Sequence, residues 1–264
     1  TLLVYGEQGL GDQIFYGTLL PDLLKVQKNI YCKIDHRLHN LFKENFPSIK
    51  FFKQNEQIDK NSYEKYISIG SLSKFYRKHT NDYMNSEFKQ YSFSQNFPEI
   101  YKRQIRKLPN LKIGLSWHTF APKNSVKRSL SPSQVSRILS NNSNSFINLQ
   151  YGEVSNSITE INQLSKNKLF TINNLDLTND IDNVINVIKN CDLIITIDNT
   201  LAHLASALGK NVWIILPYSA DARWMENITC SLTYQNTILI RQDQSCTWEN
   251  VIKIIELALS KEKL

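Results

Sequence analysis

CDLIITIDNTLAHLASALGKNVWIILP, residues Cys191–Pro217, gives the clearest indication of the fold class. Leu193–Ile197 is an apolar run without polar alternation, which is typical of a strand buried on both faces of a parallel sheet. The pattern predicts a helix over Thr200–Leu208, and Gly209 stands in the expected C-cap position. A second apolar run, NVWIILP, follows at once. This strand–helix–strand unit predicts an α/β protein with a parallel sheet.

Asp198 stands where the first of these strands ends and the helix begins. In open α/β sheets, ligands bind beyond the carboxyl ends of the strands. A helix N-terminus there offers free N–H groups and a partial positive charge, which suits a phosphate. We expect the Thr200 hydroxyl and His203 to face the same anion. The residues alone also allow a simpler interpretation, in which Asp198 caps the helix and His203 is a hydrogen-bonded core residue.

The same alternation of strand and helix extends over the rest of the chain. The predicted strands are Leu2–Tyr5, Ile30–Ile34, Ile49–Phe52, Tyr66–Ile69, KIGLSW, FINLQYG and KLFTI. The predicted helices are residues 12–26 with a kink at Pro21, residues 36–45, a helix opening with Ser131 as N-cap and Pro132 as its first residue, and residues 248–259. Residues 73–110 have weak periodicity and are interpreted as an excursion, a helix and a linker. We therefore predict two Rossmann-like domains, residues 1–110 and 111–264.

Composition excludes several classes of protein. A hydrophobic content of 41% and a mean hydropathy of −0.35 are typical of a soluble globular protein, and no apolar run reaches the roughly 18 residues of a membrane span. The first residues lack the basic region of a signal peptide, and the start at Thr1 leaves room for a preceding segment. Four scattered cysteines argue against a zinc site or a disulfide framework and favour a reducing cytoplasm.

Charge is concentrated in the first half of the chain. Residues 1–110 carry 17 Lys and Arg against 11 Asp and Glu, whereas residues 111–264 carry 14 against 13. A basic half attracts an anionic acceptor, a membrane surface or a nucleic acid. Because the basic residues are dispersed and no nucleic-acid-binding motif is present, we expect no nucleic-acid partner.

A glycine cluster follows the first strand, in the stretch VYGEQGLGDQIF. Its glycines, Gly6, Gly9 and Gly11, fall in the order G-x-x-G-x-G, whereas a dinucleotide fingerprint has the order G-x-G-x-x-G. Asp35 follows the second strand, where a ribose-binding acid is expected, so NAD binding stays open. The cluster brings backbone close to a ligand or to another piece of backbone.

The chain resembles the heptosyltransferase-like glycosyltransferases of family 9. The resemblance is closer still to related transferase domains that are often found behind tetratricopeptide repeats. It is carried by DNTLAHLASALGK, VWIILP and RW, by KIGLSW through KRSLSP, by NLQYG, by EQGLGDQI, and by Tyr234, RQ at Arg241 and Trp248, which together span roughly 200 residues in the family's order. Two positions depart from the family pattern: Asn199 replaces a Thr, and Ser206 replaces a Gly.

This resemblance implies a GT-B fold, with two Rossmann-like domains whose parallel sheets face a central cleft. The nucleotide-sugar donor would bind residues 111–264, and the acceptor would be held by residues 1–110. Asp12 matches the family's proposed base, with Glu7 as second choice. The residues implied to contact the donor are Gly9, Gly11, His118, Lys127, Arg128, Asp198, Asn199, Thr200, His203, Arg223 and Trp224, with Lys123 as a neighbour in the basic loop.

Several of these assignments have a structural alternative. Asp12 stands where it would cap its helix, and Arg128 lies in what would otherwise be a basic surface loop. Arg223 and Trp224 fit a core position as well as a donor pocket. Asp180 and Asp182 form an Asp-x-Asp motif, which some transferases use for metal binding. Because they open a predicted helix, we expect them to cap it, and we predict chemistry without a metal or other cofactor.

The sequence thus predicts an inverting, metal-independent glycosyltransferase that moves a hexose or heptose from an ADP- or UDP-linked donor to an acceptor hydroxyl. The acceptor class, whether glycan, lipid-linked glycan or protein, stays open. So do a peripheral contact with the inner face of the membrane and a preceding tetratricopeptide-repeat segment. The expected location is the cytoplasm. The alternative is an inactive nucleotide-sugar-binding or scaffold domain of the same fold.

Overall fold

The computed structural model describes residues 1–120, 125–140 and 143–261, and these contain two parallel β-sheets. The first sheet has the strand order β3-β2-β1-β4, with β1 Leu2–Tyr5, β2 Ile30–Ile34, β3 Lys50–Lys53 and β4 Lys65–Ser68. The second has the order β10-β9-β8-β5-β6-β7, with β5 Lys112–Ser116, β6 Ser145–Asn148, β7 Leu169–Phe170, β8 Leu193–Ile197, β9 Val212–Leu216 and β10 Thr237–Arg241. The predicted α/β class with two parallel sheets is confirmed. The boundary at residue 110 stays a prediction.

Helices connect successive strands in both halves, as parallel pairing requires. Those of the described residues are α1 Leu10–Gly17, α2 Leu20–Val26, α3 His39–Asn45, α4 Ser73–Tyr76, α5 Thr80–Met84, α6 Glu99–Arg106, α7 Ser125–Arg128, α8 Pro132–Ser140, α9 Ser155–Leu164, α10 Ile181–Lys189, α11 Thr200–Ala207 and α12 Glu249–Lys261. Across the same residues, no helix combines the length and the apolar character that a bilayer span demands.

The first predicted helix is interrupted earlier than expected. It divides into α1 and α2 at Thr18 and Leu19, and Pro21 lies in the first turn of α2 rather than at a kink. The difference has a simple cause, because the first turn of a helix is where the missing N–H of proline costs no hydrogen bond.

The predicted linker packs more extensively than its weak periodicity indicated. Between α5 and α6 the chain forms neither helix nor strand, and its aromatic residues Phe88, Tyr91, Phe93 and Phe97 are all buried. The backbone N–H of Tyr91 donates to the carbonyl oxygen of Ala207 at 2.6 Å. The aromatic content of this stretch therefore anchors it against the second half of the molecule.

Helices α1 and α11 pack against each other and thereby join the two halves. Ile14 and Phe15 of α1 belong to the same buried apolar cluster as Leu201 and Leu204 of α11. Strand β8, which leads into α11, is buried at all five residues. Helices α1 and α11 both begin at the carboxyl end of a strand, and the buried cluster that they share fixes the positions of these two helix starts.

Candidate active site

A cleft of about 210 Å³ lies between the two halves, beside the carboxyl ends of β1, β5 and β8. The predicted site residues that line it are Gly9, Gly11, Asp12, Arg128, Asp198, Asn199, Thr200, His203 and Arg223. Leu10, Thr119, Tyr151 and Asp221 complete its wall. The glycine cluster and the start of α11 therefore share one hollow, although they are nearly 200 positions apart in sequence.

Gly11 explains how closely the halves approach. A Cβ atom at this position would lie 3.2 Å from Cδ2 of His203, 3.3 Å from Cα of Thr200 and 3.4 Å from its hydroxyl oxygen. Contacts this short are closer than ordinary van der Waals contacts, so a methyl group at this position would require the neighbouring atoms to move. The glycine of α1 thus brings backbone close to the N-terminus of α11, which was one of the roles that the sequence left open.

Asn199 is the N-cap of α11. Its side-chain oxygen accepts hydrogen bonds from the N–H groups of Leu201 at 2.9 Å and Ala202 at 3.4 Å, and its amide nitrogen donates to Ser116 at 2.8 Å. The expectation that the N–H groups of this helix end are free for an anion is therefore wrong for Leu201 and Ala202. Asparagine, where the family has threonine, supplies a cap that also ties α11 to β5.

The cap rests on a buried polar network beneath the cleft. Ser116 donates to the side-chain oxygen of Gln150 at 2.9 Å, and the same oxygen accepts from the backbone N–H groups of Trp117 and His118. Because buried polar groups that find all their partners fix a single arrangement, this network holds the ends of β5, β6 and β8 in register.

Arg128 and Asp198 form an ion pair in the cleft. Nη2 of Arg128 donates to the carboxylate of Asp198 at 2.9 Å and to its backbone oxygen at 2.6 Å. Nε of Arg128 is buried and has no hydrogen-bond partner in the described part of the chain. A buried donor without a partner is costly, and an anion bound beside Arg128 would satisfy it.

Asp198 is almost completely buried, with 6% of its side chain exposed. Burial raises the pKa of this carboxyl group, whereas the Trp224 indole and the guanidinium groups of Arg128 and Arg223 lower it. The indole Nε1 lies beside the carboxylate without forming a hydrogen bond of regular geometry. Asp198 therefore positions Arg128 and does not cap the helix, since Asn199 performs that role.

Asp12 extends from α1 to the other wall of the cleft. Its Oδ1 accepts a hydrogen bond from Nη1 of Arg223 at 2.6 Å. The N-cap of α1 is Gly9, and no side chain caps this helix. The capping alternative for Asp12 is therefore wrong, and the carboxylate is partly exposed to the cleft, at 22%.

His203 is buried beneath Arg223. Its ring stacks on that of Trp224 at 4.9 Å with an interplanar angle of 14°. Burial, together with the nearby Arg223 guanidinium, lowers the pKa of His203 to about 3, so the ring is neutral. Since a guanidinium can only donate, Nε2 is the acceptor at 3.4 Å from Arg223, and Nδ1–H donates to the Tyr234 hydroxyl at 3.1 Å.

Three of the predicted donor-contacting residues lie outside the cleft lining. The His118 ring packs against Phe120, with centroids 4.7 Å apart. Lys127 is exposed and lines a neighbouring groove of about 580 Å³ with Pro217, Tyr218 and Trp248 among others. Trp224 is 1% exposed beneath the site. Lys123 falls outside the described residues.

Sequence reasoning missed Asp221 and Tyr151. Asp221 caps the short 3₁₀ turn Ala222–Trp224 by accepting a hydrogen bond from the N–H of Arg223. Its position two residues before Arg223, a predicted site residue, could have identified it in the sequence. Tyr151 lies three positions beyond the end of β6, and the rule that ligands bind beyond strand ends already pointed to this region.

The Asp-x-Asp motif caps a helix, as expected. Asp180 is the N-cap of α10 and accepts from the N–H of Asn183. Within residues 1–120, 125–140 and 143–261, no three His, Cys, Asp or Glu side chains are grouped closely enough to hold a metal ion. Chemistry without a metal stays a prediction.

Comparison with known proteins gives a distant relative in sequence and several in structure. No protein-family model matches the chain. Protein FlbA of Caulobacter vibrioides is 24% identical over an alignment of 262 positions, and the alignment covers 89% of this chain. The chain spans only 43% of the length of this curated relative.

Three solved structures share the fold over most of the chain. A family 9 glycosyltransferase from Veillonella parvula superposes with a TM-score of 0.65 at 12% identity, covering 98% of this chain and 92% of its own. The E. coli ADP-heptose lipopolysaccharide heptosyltransferase II gives 0.57 at 13%, covering 98% and 99%. TibC, described as an iron-containing dodecameric glycosyltransferase of enterotoxigenic E. coli, gives 0.55 at 15%, covering 83% and 58%. The chain therefore has the GT-B fold of the family 9 glycosyltransferases and heptosyltransferases.

Proposed function

We propose that this protein is a glycosyltransferase that moves a sugar from a nucleoside diphosphate to an acceptor hydroxyl with inversion and without a metal. The observation that carries the proposal is the cleft itself. The Asp12 carboxylate of one half lines it together with Arg128 and the start of α11 from the other half. A base and a cationic phosphate site within one cleft are what such a transfer requires.

In the proposed reaction, the donor diphosphate binds against Arg128, whose unpartnered Nε–H points to this role. The acceptor oxygen attacks the anomeric carbon as the bond between that carbon and the diphosphate oxygen breaks. The acceptor proton passes to the Asp12 carboxylate, and the electron pair of the broken bond leaves with the nucleoside diphosphate. Attack from the face opposite the leaving group inverts the anomeric centre.

The charges in the cleft suit this course of reaction. Negative charge grows on the leaving diphosphate, and fixed cations stabilise it most where water is excluded. Asp198, with its side chain buried, holds Arg128 at this position in advance. Since the helix N–H groups of Leu201 and Ala202 already bind Asn199, we assign the main stabilisation of the diphosphate to Arg128, with the Thr200 hydroxyl as a further donor.

The fold neighbours suggest which donors to test first. One of them is an ADP-heptose heptosyltransferase, so ADP-heptose is the first donor to test and a UDP-linked hexose the second. We infer a cytoplasmic enzyme whose acceptor, a glycan, a lipid-linked glycan or a protein, is held by the first half. A peripheral membrane contact and a preceding tetratricopeptide-repeat segment belong to the same proposal.

The proposal is tested by release of nucleoside diphosphate from each donor, in the presence and absence of acceptor extracts. Wild-type protein should release it, and Asp12→Asn should lose turnover by about 10²–10⁴-fold while keeping nucleotide affinity, because only the proton acceptor is removed. A protein that binds nucleotide but never releases sugar would instead be the inactive scaffold. Unchanged turnover in Asp12→Asn would remove Asp12 from its role.

A further inference from the structure

Arg223 joins three side chains in the wall of the cleft. Its Nε donates to Oδ1 of Asp221 at 2.8 Å, and its Nη2 approaches Oδ2 of the same carboxylate at 3.2 Å. Its Nη1 donates to Oδ1 of Asp12 at 2.6 Å and lies 3.4 Å from Nε2 of His203. Most of its five N–H groups are thus directed at protein acceptors, which leaves few for a ligand.

The planar face of the Arg223 guanidinium also packs against an aromatic ring. The Phe15 ring lies 5.7 Å from the Arg223 Cζ atom, and 18% of the side chain is exposed. Burial alone would lower the pKa of Arg223, but Asp221 and Asp12 raise it above its ordinary value, so the cation persists at every physiological pH. Arg223 is therefore a rigid, permanently charged group.

Arg128 provides the contrast within the same cleft. Its Nε–H is buried without a partner, whereas the Nε–H of Arg223 is bound to Asp221. Of the two arginines, Arg128 is equipped to bind an incoming phosphate, and Arg223 is equipped to hold a carboxylate in place.

The carboxylate that Arg223 holds is the proposed base. Asp12 receives no orientation from its own helix, because Gly9 is the N-cap and no side chain caps α1. Arg223 holds Oδ1, and Oδ2 lies on the side of Gly9, 3.3 Å from the position of a Cβ atom there. One oxygen is thus fixed, and the other faces the glycine turn.

We infer that Arg223 is a positioning residue that orients Asp12 across the cleft, so that Oδ2 accepts the acceptor proton. The inference rests on the proposed function and reassigns Arg223 from donor binding to base orientation. Because Asp12 belongs to the first half and Arg223 to the second, the base is oriented only when the halves are together.

The test separates kcat from donor binding. Arg223→Ala should lower kcat by about 10–100-fold, the scale of effect that a displaced catalytic group produces. The KM for donor and the Kd for ADP or UDP should change by less than about threefold, since no phosphate contact is lost. Millimolar ethylguanidinium should restore part of kcat in Arg223→Ala. Arg223→Lys should recover less than half of wild-type kcat, because an ammonium cannot hold Asp221 and Asp12 at once.

Asp221→Asn is a second variant, which keeps Arg223 but replaces the carboxylate that holds its guanidinium. Its side chain is 45% exposed, so the fold should tolerate the change, and kcat should fall by about 3–10-fold with unchanged nucleotide affinity. A loss of nucleotide affinity of tenfold or more in Arg223→Ala, with kcat retained, would make Arg223 a donor ligand and overturn the inference.

Failure of the proposed function gives a different pattern. Wild-type protein without turnover, or an active Asp12→Asn variant, would remove the base and with it the role of Arg223. An inactive Asp12→Asn together with a fully active Arg223→Ala would overturn only the orienting role. In an Asp12→Asn background, Arg223→Ala should cause no further loss, and an additive loss would also contradict the inference.

Discussion

Gly11 and Thr200 are in direct contact across the cleft, since a methyl group on the glycine would lie 3.3 Å from the Cα atom of the threonine. Glycine is needed here for close approach of two helices and not for an unusual backbone angle. The distance between the proposed base and the phosphate site is set at this contact, because α1 carries Asp12 and α11 begins at Thr200.

Gly11→Ala should lower kcat/KM by about tenfold, because α11 must move by a few tenths of an ångström and catalytic groups are sensitive to such shifts. The free energy of unfolding should change by less than about 1 kcal/mol, since the higher helix propensity of alanine offsets the strain. Steady-state kinetics and urea unfolding measure the two effects. Gly11→Ser should lower activity further. Wild-type kinetics in both variants would show that the contact does not set the geometry of the site.

Arg128→Ala should weaken ADP or UDP binding by about 1.5–3 kcal/mol, the cost of a lost charge-assisted hydrogen bond. Isothermal titration measures the change. Arg106→Ala is the matched control, because Arg106 is 68% exposed on α6 and pairs with Glu99 at the surface. Equal affinities in wild type and Arg128→Ala would show that Arg128 does not bind the diphosphate.

Asn199→Ala should lower the free energy of unfolding by about 1–3 kcal/mol, because it removes the cap of α11 and leaves the buried Ser116 hydroxyl without its donor. Asn199→Ser keeps a cap oxygen and should cost less. Asn55→Ala, in the exposed turn after β3, is a control for loss of an asparagine. Urea unfolding of wild type and the three variants measures their free energies of unfolding. An Asn199→Ala variant as stable as wild type would contradict the predicted role of the cap.

His203 should make the protein less stable in acid. Its pKa is about 3 in the folded protein against an ordinary value of 6.5, so between these values the unfolded chain binds a proton that the folded protein does not. The contribution of neutral His203 to the free energy of unfolding is fully present above pH 6.5. It is lost as the pH falls toward 3, by at most about 1.4 kcal/mol per pH unit. His203→Gln should remove it, so the stability difference between wild type and variant should shrink as the pH falls. A constant difference from pH 7 to pH 4 would contradict the assignment.

The order of strands and helices was predictable because it is written in local patterns. Leu193–Ile197, Asp198 and Gly209 indicate strand, possible cap and helix end by their spacing alone. The structure confirms the strand and the C-terminal glycine, whose φ is +72°, but the cap is Asn199. The break before α2 was not predicted, since Pro21 fits a first turn and a kink equally well and only packing decides between them.

Most of the residues that line the cleft were predictable from the sequence, but their pairing was not. Strand ends and motifs brought Asp12, Arg128, Asp198 and Arg223 to one cleft. The partner of each arginine depends on how the two sheets are oriented relative to each other. Local sequence patterns do not predict this orientation. Asp12 meets Arg223, 211 positions away, and Arg128 meets Asp198, 70 positions away.

A crystal structure of the protein with a bound nucleoside diphosphate tests the central claim most directly. We predict that the phosphates lie in the cleft, with one phosphate oxygen within hydrogen-bond distance of Nε of Arg128, and with Asp12 on the opposite wall still paired to Arg223. Phosphates bound outside the hollow between Gly11 and Thr200, with Arg128 untouched, would contradict the account.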